Sequence, residues 1–387
     1  MSIPVSTKSY IRNVVTKTGG VYIHVPFCQK RCIYCDFYST TCGLEWKHSY
    51  VTALRREMGL RRSEIDASRV PSLYIGGGTP SQLPTPLLLE MFQAVAESFT
   101  LEDDAEVTME VNPDDVTPEL IDALRQTPVN RISMGVQTFS DELLRFLNRR
   151  HTSAQALQAV QLLREAGYNN ISLDLIYGLP NQTFEDWTRD VQQLLALRVP
   201  HLSAYALSYE EGTPLQKMLQ CGSVSEAPEE LSWRMYEYLM DKAAEAGMEH
   251  YEISNFAIPG MRAKHNSSYW DGSAYLGLGP GAHSYDGENV RRANNPSLKD
   301  YVQAKDDVPH EMEVLTPEER YDELVMTRLR TSSGLPLSLL SAGQRDYCMR
   351  MAEPHIRNGN MLLEDEVLRL SRKGIFVSNS IISDLMC

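Results

Sequence analysis

The sequence predicts an α/β protein in which parallel strands alternate with helices, followed by a small separate C-terminal unit. Six short runs rich in β-branched and other apolar residues alternate with segments of helical spacing between Val21 and Leu207. Polar and glycine-rich signals fall at the carboxyl ends of those runs, which is where ligands bind in barrels and in open parallel sheets alike. The chain changes character after Gly222 and again between Pro309 and Pro317. The expected organisation is an N-terminal segment over 1–20, a core over 21–222, an extension over 223–310 and a small domain over 311–387.

The first strand is Val21–Val25, and the loop at its carboxyl end carries Cys28, Cys32 and Cys35. Helical spacing over Leu44–Arg62 leads to a second strand, Val70–Ile75, that ends in GGGTP. A helix over Pro86–Phe99, a strand over Glu106–Val111, a helix over Pro118–Arg125 and a strand over Arg131–Val136 continue the alternation. Ala154–Ala166 is helical and stops at Gly167, a residue that terminates helices. Ile171–Pro180 is the fifth strand with its loop, Phe184–Leu197 a helix and His201–Leu207 the sixth strand. A charged helix over Glu229–Ala246 precedes an irregular, glycine- and asparagine-rich stretch from Asn255 to Gly287, which holds HNSSYW (His265–Trp270) and YLGLGPGAHSYDG (Tyr275–Gly287). Glu318–Leu329 and Leu337–Met351 read as helices, and Met361–Met386 as a hairpin with a helix.

Composition excludes several classes. Of 387 residues 42% are hydrophobic and 23% charged, as in globular proteins, and no apolar run approaches the ~20 residues that span a bilayer. Residues 1–20 lack the apolar core of a signal peptide, so a cytoplasmic protein is expected, not itself a membrane protein. A balance of 37 basic against 51 acidic residues, net −14, opposes attraction to phosphate backbones, and no nucleic-acid partner is expected. Seven cysteines, three of them clustered, do not make a disulfide framework.

The three clustered cysteines stand at C-x3-C-x2-C spacing. Soft thiolates gathered this closely call for a metal. A structural zinc site is closed by four protein ligands, and the nearest spare thiol is Cys42. Electron-transfer 4Fe-4S clusters also take four cysteines. A cluster held by three leaves one iron open to chelate a small molecule, and that is the reading adopted, with zinc as the alternative. Around it, Gly76–Thr79 let backbone approach a ligand or simply make a tight turn. Glu110 offers two acceptor oxygens to a pair of ribose hydroxyls, or forms a salt bridge with a rim arginine. His24 either points into the barrel beside the cysteines or is a packed core histidine.

The segment YIHVPFCQKRCIYCDF (Tyr22–Phe37), with Tyr34 just before the third cysteine, resembles the radical S-adenosylmethionine (SAM) superfamily. More narrowly it resembles the oxygen-independent coproporphyrinogen III oxidases and their HemW-type relatives. The resemblance implies a partial (β/α)6 barrel with a small C-terminal helical, winged-helix-like domain. It implies a 4Fe-4S cluster on Cys28, Cys32 and Cys35, and SAM against the backbone of Gly77 and its neighbours, with Glu110 on the ribose and Tyr22 nearby. A second SAM, as in the oxidase, maps onto Tyr34, Gly78, Thr79, Gln137, Arg149 and Asp174, unless Arg149 and Asp174 pair with each other.

The oxidases carry a further cysteine two residues after the third and a longer N-terminal extension, whereas this chain has Phe37 at that position and about 20 residues before its first strand. The CDF ending and HNSSYW are shared with the HemW-type haem chaperones. The resemblance thus implies a protein that binds haem and delivers it to haem-requiring enzymes, membrane-associated ones among them. Oxidative decarboxylation of coproporphyrinogen III is the alternative. Neutral imidazole ligates haem iron, so His265, as axial ligand or support of the site, and His283 are the haem candidates.

Overall fold

The computed structural model describes residues 17–387. Most of the segment expected over 1–20 therefore lies outside the described residues. Six strands, β1 (Gly19–Val25), β2 (Val70–Gly77), β3 (Leu101–Val111), β4 (Arg131–Gln137), β5 (Ile171–Tyr177) and β6 (His201–Ala206), pair in parallel in chain order. The helices between them are α1 (Leu44–Arg61), α2 (Thr85–Ser98), α3 (Pro118–Leu124), α4 (Asp141–Phe146), α5 (Ser153–Glu165) and α6 (Phe184–Ala196). Ser140 starts α4, which the sequence reading missed, by accepting the backbone N–H of Leu143. Thr152 and Thr183 cap α5 and α6 reciprocally with the side chains of Gln155 and Asp186.

The strands are two-faced. Leu73 and Ile75, Ile132 and Met134, and Leu173 and Leu175 are fully buried in the main core. Each contributes about 1.5–3 kcal/mol through burial. Alternate residues, among them Ser133 on β4, Ser172 and Asp174 on β5 and Ser203 and Tyr205 on β6, line a single cavity together with residues after β1 and β2. A cavity walled by strands from both ends of this six-strand series means that the sheet is curled, as a partial barrel.

The sheet runs on at both sides to twelve strands. Beyond β6 lie β8 (Asn255–Ala257) and β7 (Glu249–Glu252), reached through α7 (Pro214–Gln220) and α8 (Glu229–Glu245). Beyond β1 lie β9 (Ala274–Leu278), β10 (His283–Tyr285), β11 (Val290–Asn294) and β12 (His310–Val314). The stretch read as irregular from Asn255 to Gly287 therefore contributes three strands to the sheet, β8, β9 and β10. Gly277 and Gly279 mark close approach of backbones: a Cβ on Gly277 would sit 1.9 Å from the carbonyl oxygen of His283, and one on Gly279 2.5 Å from that of His24. HNSSYW is likewise not irregular but forms α9 (Lys264–Asp271), whose first turn is capped by a remote side chain, Glu106, accepting the backbone N–H groups of Lys264 and His265 at 3.0 Å. Between β11 and β12 stands α10 (Leu298–Gln303).

Because β12 pairs with β11 through Val314, the main sheet extends past residue 311. A second core, including Tyr321, Val325, Leu335, Cys348, Leu368 and Ile381, belongs to α11 (Pro317–Leu329), β13 (Leu335–Pro336), α12 (Ala342–Arg357), β14 (Met361–Glu364), β15 (Val367–Leu370), α13 (Arg372–Ile375) and α14 (Ser378–Leu385). The helix expected from Leu337 begins only at Ala342, since Pro336 pairs with Val367 and Ser341 caps α12 with Gln344. Trp233 of α8 stacks on Phe376 at 4.1 Å, joining the small domain to the barrel.

One buried ion pair locks the added strands to the barrel. Arg61 and Glu57 on α1 are 3% and 1% exposed and bond at 2.7 Å. Arg61 also donates to the Gly277 carbonyl and the Ser284 hydroxyl, while Glu57 accepts from Gly279 N–H, Asn294 and the Tyr301 hydroxyl. Replacing one partner leaves the other charge buried and uncompensated. Arg61→Met is expected to cost about 3–5 kcal/mol of stability in urea denaturation; a loss below about 1 kcal/mol would mean the network is not what holds these strands.

Candidate functional site

The cysteine loop leaves β1 at Pro26 and is pinned at its base, with Cys28 N–H donating to Thr40 O (2.9 Å) and Thr40 N–H to Pro26 O (2.7 Å). Its far side is held by Ile33, whose N–H donates to Leu147 O and whose carbonyl accepts Leu215 N–H, and by Asn148 bonded to the carbonyl of Arg31. Elements after β4 and β6 thereby close over the loop. Cys28, Cys32 and Cys35 all line a cavity of about 450 Å³ at the carboxyl ends of the strands. Cys42 does not line it and bonds Thr40 Oγ1 instead. Among the described residues no group of three His, Cys, Asp or Glu side chains is gathered to hold a single metal ion. Thiolates that each bind a different iron of a cluster need not converge on one point. Burial raises the Cys28 thiol and pushes Cys35 up to about 11, so these thiols stay protonated until a bound cation displaces their protons.

The glycine turn after β2 runs beside the loop. Gly77 has φ +105°, and a Cβ there would meet the His24 ring at 2.6 Å. A Cβ on Gly78 would meet the backbone of Phe27 at 2.9 Å. These glycines therefore let the turn pack on β1, so a bulky residue at Gly77 perturbs the barrel as well as any ligand. Gly77, Gly78 and Thr79 line the cavity, and Thr79 Oγ1 lies 3.6 Å from Cys28 Sγ.

Glu110 is not paired with an arginine. It accepts the Tyr74 hydroxyl (2.8 Å) and the Gly77 N–H (3.1 Å), and burial with Asp174 nearby raises its pKa to about 7. Asp174, raised to about 6 by burial, bonds Ser203. The suggested Arg149–Asp174 bond is absent: Arg149 donates to Asn112 Oδ1 (2.7 Å), to Gly135 O (2.6 Å) and toward Cys32 Sγ (3.4 Å), while its buried Nε has no partner. Gln137, at φ +70°, and Tyr34 also line the cavity, and Tyr34 packs against Leu143, Leu147, Ile176 and Leu179.

One expectation is corrected and two open alternatives are decided. Tyr22 does not line the cavity; its hydroxyl bonds His24 Nδ1 at 3.0 Å and its ring stacks on Tyr74, which does. His24 is a packed histidine with its other nitrogen 2.8 Å from Tyr38 O, so Nε2–H donates there and Nδ1 accepts from Tyr22. His265 is 0% exposed, with Nδ1 bonded to Ser72 (2.9 Å) and Nε2 to Tyr269 (2.9 Å), and burial lowers its pKa to about 3. Both nitrogens are engaged, which leaves His265 to support the site and no lone pair to ligate iron. His283 is exposed on β10, outside the cavity lining. Sequence reading missed Asn112, just past the end of β3, and Ser133, Ser203 and Tyr205, whose signal is a polar or aromatic residue at every second position of strands otherwise apolar.

Residues 22–194 match the radical SAM superfamily and residues 315–377 the HemN C-terminal domain. The chain is 38% identical to the heme chaperone HemW of Lactococcus lactis, over 83% of this chain and 84% of that one, and 34% identical to the heme chaperone HemW of Mycobacterium tuberculosis, over 95% and 94%. The chain belongs to the HemW family of radical SAM proteins. The solved coproporphyrinogen III oxidase HemN of Escherichia coli shares its fold, with a TM-score of 0.82 at 22% identity over 96% of this chain and 90% of that one.

Membership of the radical SAM superfamily implies a 4Fe-4S cluster and SAM. The residues present fit both. Three thiols share one cavity without a fourth, and the unpartnered Arg149 Nε beside Cys32 awaits an anionic group. Cys28, Cys32 and Cys35 would hold the cluster, and the Gly76–Gly78 backbone with Glu110 would hold SAM, where the cluster supplies an electron.

Anaerobically reconstituted protein is expected to carry about four irons, lost in Cys28→Ala, Cys32→Ala or Cys35→Ala and kept in Cys221→Ala, by iron assay and absorbance. Stoichiometric zinc instead would overturn the cluster. In cluster-free protein, Glu110 holds its proton more tightly folded than unfolded. Its contribution to stability therefore falls as pH rises from the ordinary carboxylate range through about 7. Glu110→Gln is expected to flatten that fall in urea titrations across this interval; an unchanged pH profile would place its titration elsewhere.

Proposed function

We propose that this protein is a haem chaperone that carries a SAM-ligated 4Fe-4S cluster, binds haem and hands it to haem-requiring enzymes. The observation that carries the reading is identity of 34–38%, over most of the chain, with bacterial proteins named heme chaperone HemW. Phe37, 62% exposed at the cavity, supports it: an aromatic surface stands where the oxidases resembled here have a cysteine. In this reading the barrel over 21–222 holds the cofactors, the extension over 223–310 completes its wall and the C-terminal domain is accessory.

The protein acts in the cytoplasm on this proposal, and membrane-associated enzymes are among its acceptors. Among the described residues no helix is long and apolar enough to cross a membrane. Of the two histidines singled out for haem, His283 is the exposed one and is proposed as the axial ligand. A second SAM beside Tyr34, Gly78, Thr79, Gln137, Arg149 and Asp174 is proposed on the ground that all six line the same cavity.

The decisive experiment supplies haem and, separately, coproporphyrinogen III with SAM and a reductant to the anaerobic holoprotein. Haem is expected to bind with a visible spectrum that His283→Ala alters, and to move to an apo haem enzyme, with no protoporphyrinogen IX formed. Conversion of coproporphyrinogen III over many turnovers, without haem binding, would overturn the proposal.

A further inference from the structure

The cavity mouth has a chemical polarity that the cluster and SAM do not use. A volume of about 450 Å³ lies within the range that encloses one small ligand. With the cysteine loop and the glycine turn given to a cluster and SAM, the surface left to a macrocycle is the exposed part of the lining. Two large aromatic side chains line the cavity with exposed surface, Phe37 at 62% and Tyr205 at 42%, from opposite ends of the parallel strand series. Aromatic faces exposed in a cavity gain free energy when something flat and apolar covers them.

The rim charges are arranged unevenly. Lys30 and Arg31, between the first two cluster cysteines, are exposed, line the cavity and form no salt bridge among the described residues. Glu210 stands exposed on the β6 side, and Asp36 beside Phe37. A flat apolar ligand bearing carboxylates on one edge is drawn with that edge toward Lys30 and Arg31 and away from Glu210. The loop carrying His283 reaches the same flank, since Gly281 packs on Tyr38, the neighbour of Phe37.

We propose that haem lies across this mouth with Phe37 and Tyr205 against the macrocycle and its two propionates paired with Lys30 and Arg31. The proposal rests on the haem-binding reading above, and deepens it by naming the subsite. Carboxylate pairing by guanidinium and ammonium groups gives orientation more than affinity at an exposed rim, whereas the aromatic contact area supplies most of the binding.

The test titrates haem, and haem dimethyl ester with its propionates blocked, into anaerobically reconstituted holoprotein and two variants, Phe37→Ser and the double change Lys30→Glu with Arg31→Glu. Iron content and SAM affinity are measured alongside. Phe37→Ser is expected to weaken both ligands at least about tenfold. The charge reversal is expected to weaken haem severalfold and leave the ester unchanged, and in wild-type protein the ester is expected to bind more weakly than haem. Unchanged haem affinity in both variants would overturn this subsite while leaving haem binding intact. No haem binding by wild-type protein would instead overturn the functional reading. Should Phe37→Ser lose iron, the charge reversal and the ester comparison decide without it, and an ester that binds like haem to every form rules out the propionate pairing.

Discussion

A guanidinium enclosed in the cavity wall without a carboxylate to meet it is the constraint around which this site is built. Arg149 spends its terminal nitrogens on Asn112 after β3, on the Gly135 carbonyl of β4 and on the Cys32 thiol, and keeps Nε unpaired. Such a group is costly until an anion arrives. Thiolates bound to iron, or the carboxylate of a ligand, supply that anion. The same residue therefore aligns two strand ends with the cysteine loop and biases the site toward binding negative charge. Asp174 and Glu110, with raised pKa values on the other strands, keep the rest of the wall from cancelling it at mild acidity.

Beneath the cavity lies an aromatic layer that reaches it through Tyr74 and sets its geometry. Tyr22, His24, Tyr74 and His265 pack ring to ring, with centroids 5.4–6.4 Å apart in the stacked and edge contacts recorded between them. Each imidazole nitrogen in the layer is hydrogen-bonded. Neutral, fully paired imidazoles suit a low-dielectric interior, and their bonds fix Tyr74, which in turn orients Glu110. The HNSSYW helix reaches this layer through His265 and the cavity itself through Asn266.

The strands added beyond β1 explain how a six-stranded half-barrel supports an exposed rim. Glu57 and Arg61 reach from α1 to β9, β10 and β11, so the loop from Gly279 to His283 is held against His24 and Tyr38 at the base of the cysteine loop. Rigid support of this kind permits aromatic residues to stay exposed at the mouth without collapsing into the cavity.

By itself the sequence determined what depends on local chemistry. Three cysteines at short spacing, six strands set by apolar runs, and polar residues on those strands that line the cavity, including Glu110, Gln137 and Asp174, were legible because the signals are carried by neighbours in the chain. Tertiary structure decided whatever depends on partners far away in sequence. Lys264–Asp271 is a helix because Glu106, more than 150 residues earlier, caps it. Gly277 and Gly279 serve strand packing because the carbonyl oxygens of His283 and His24 occupy the space a Cβ would take. His265 is withdrawn from ligation because Ser72 and Tyr269 hold both its nitrogens. A residue type announces what a side chain is able to bind; only the fold determines whether its lone pairs are still free to do so.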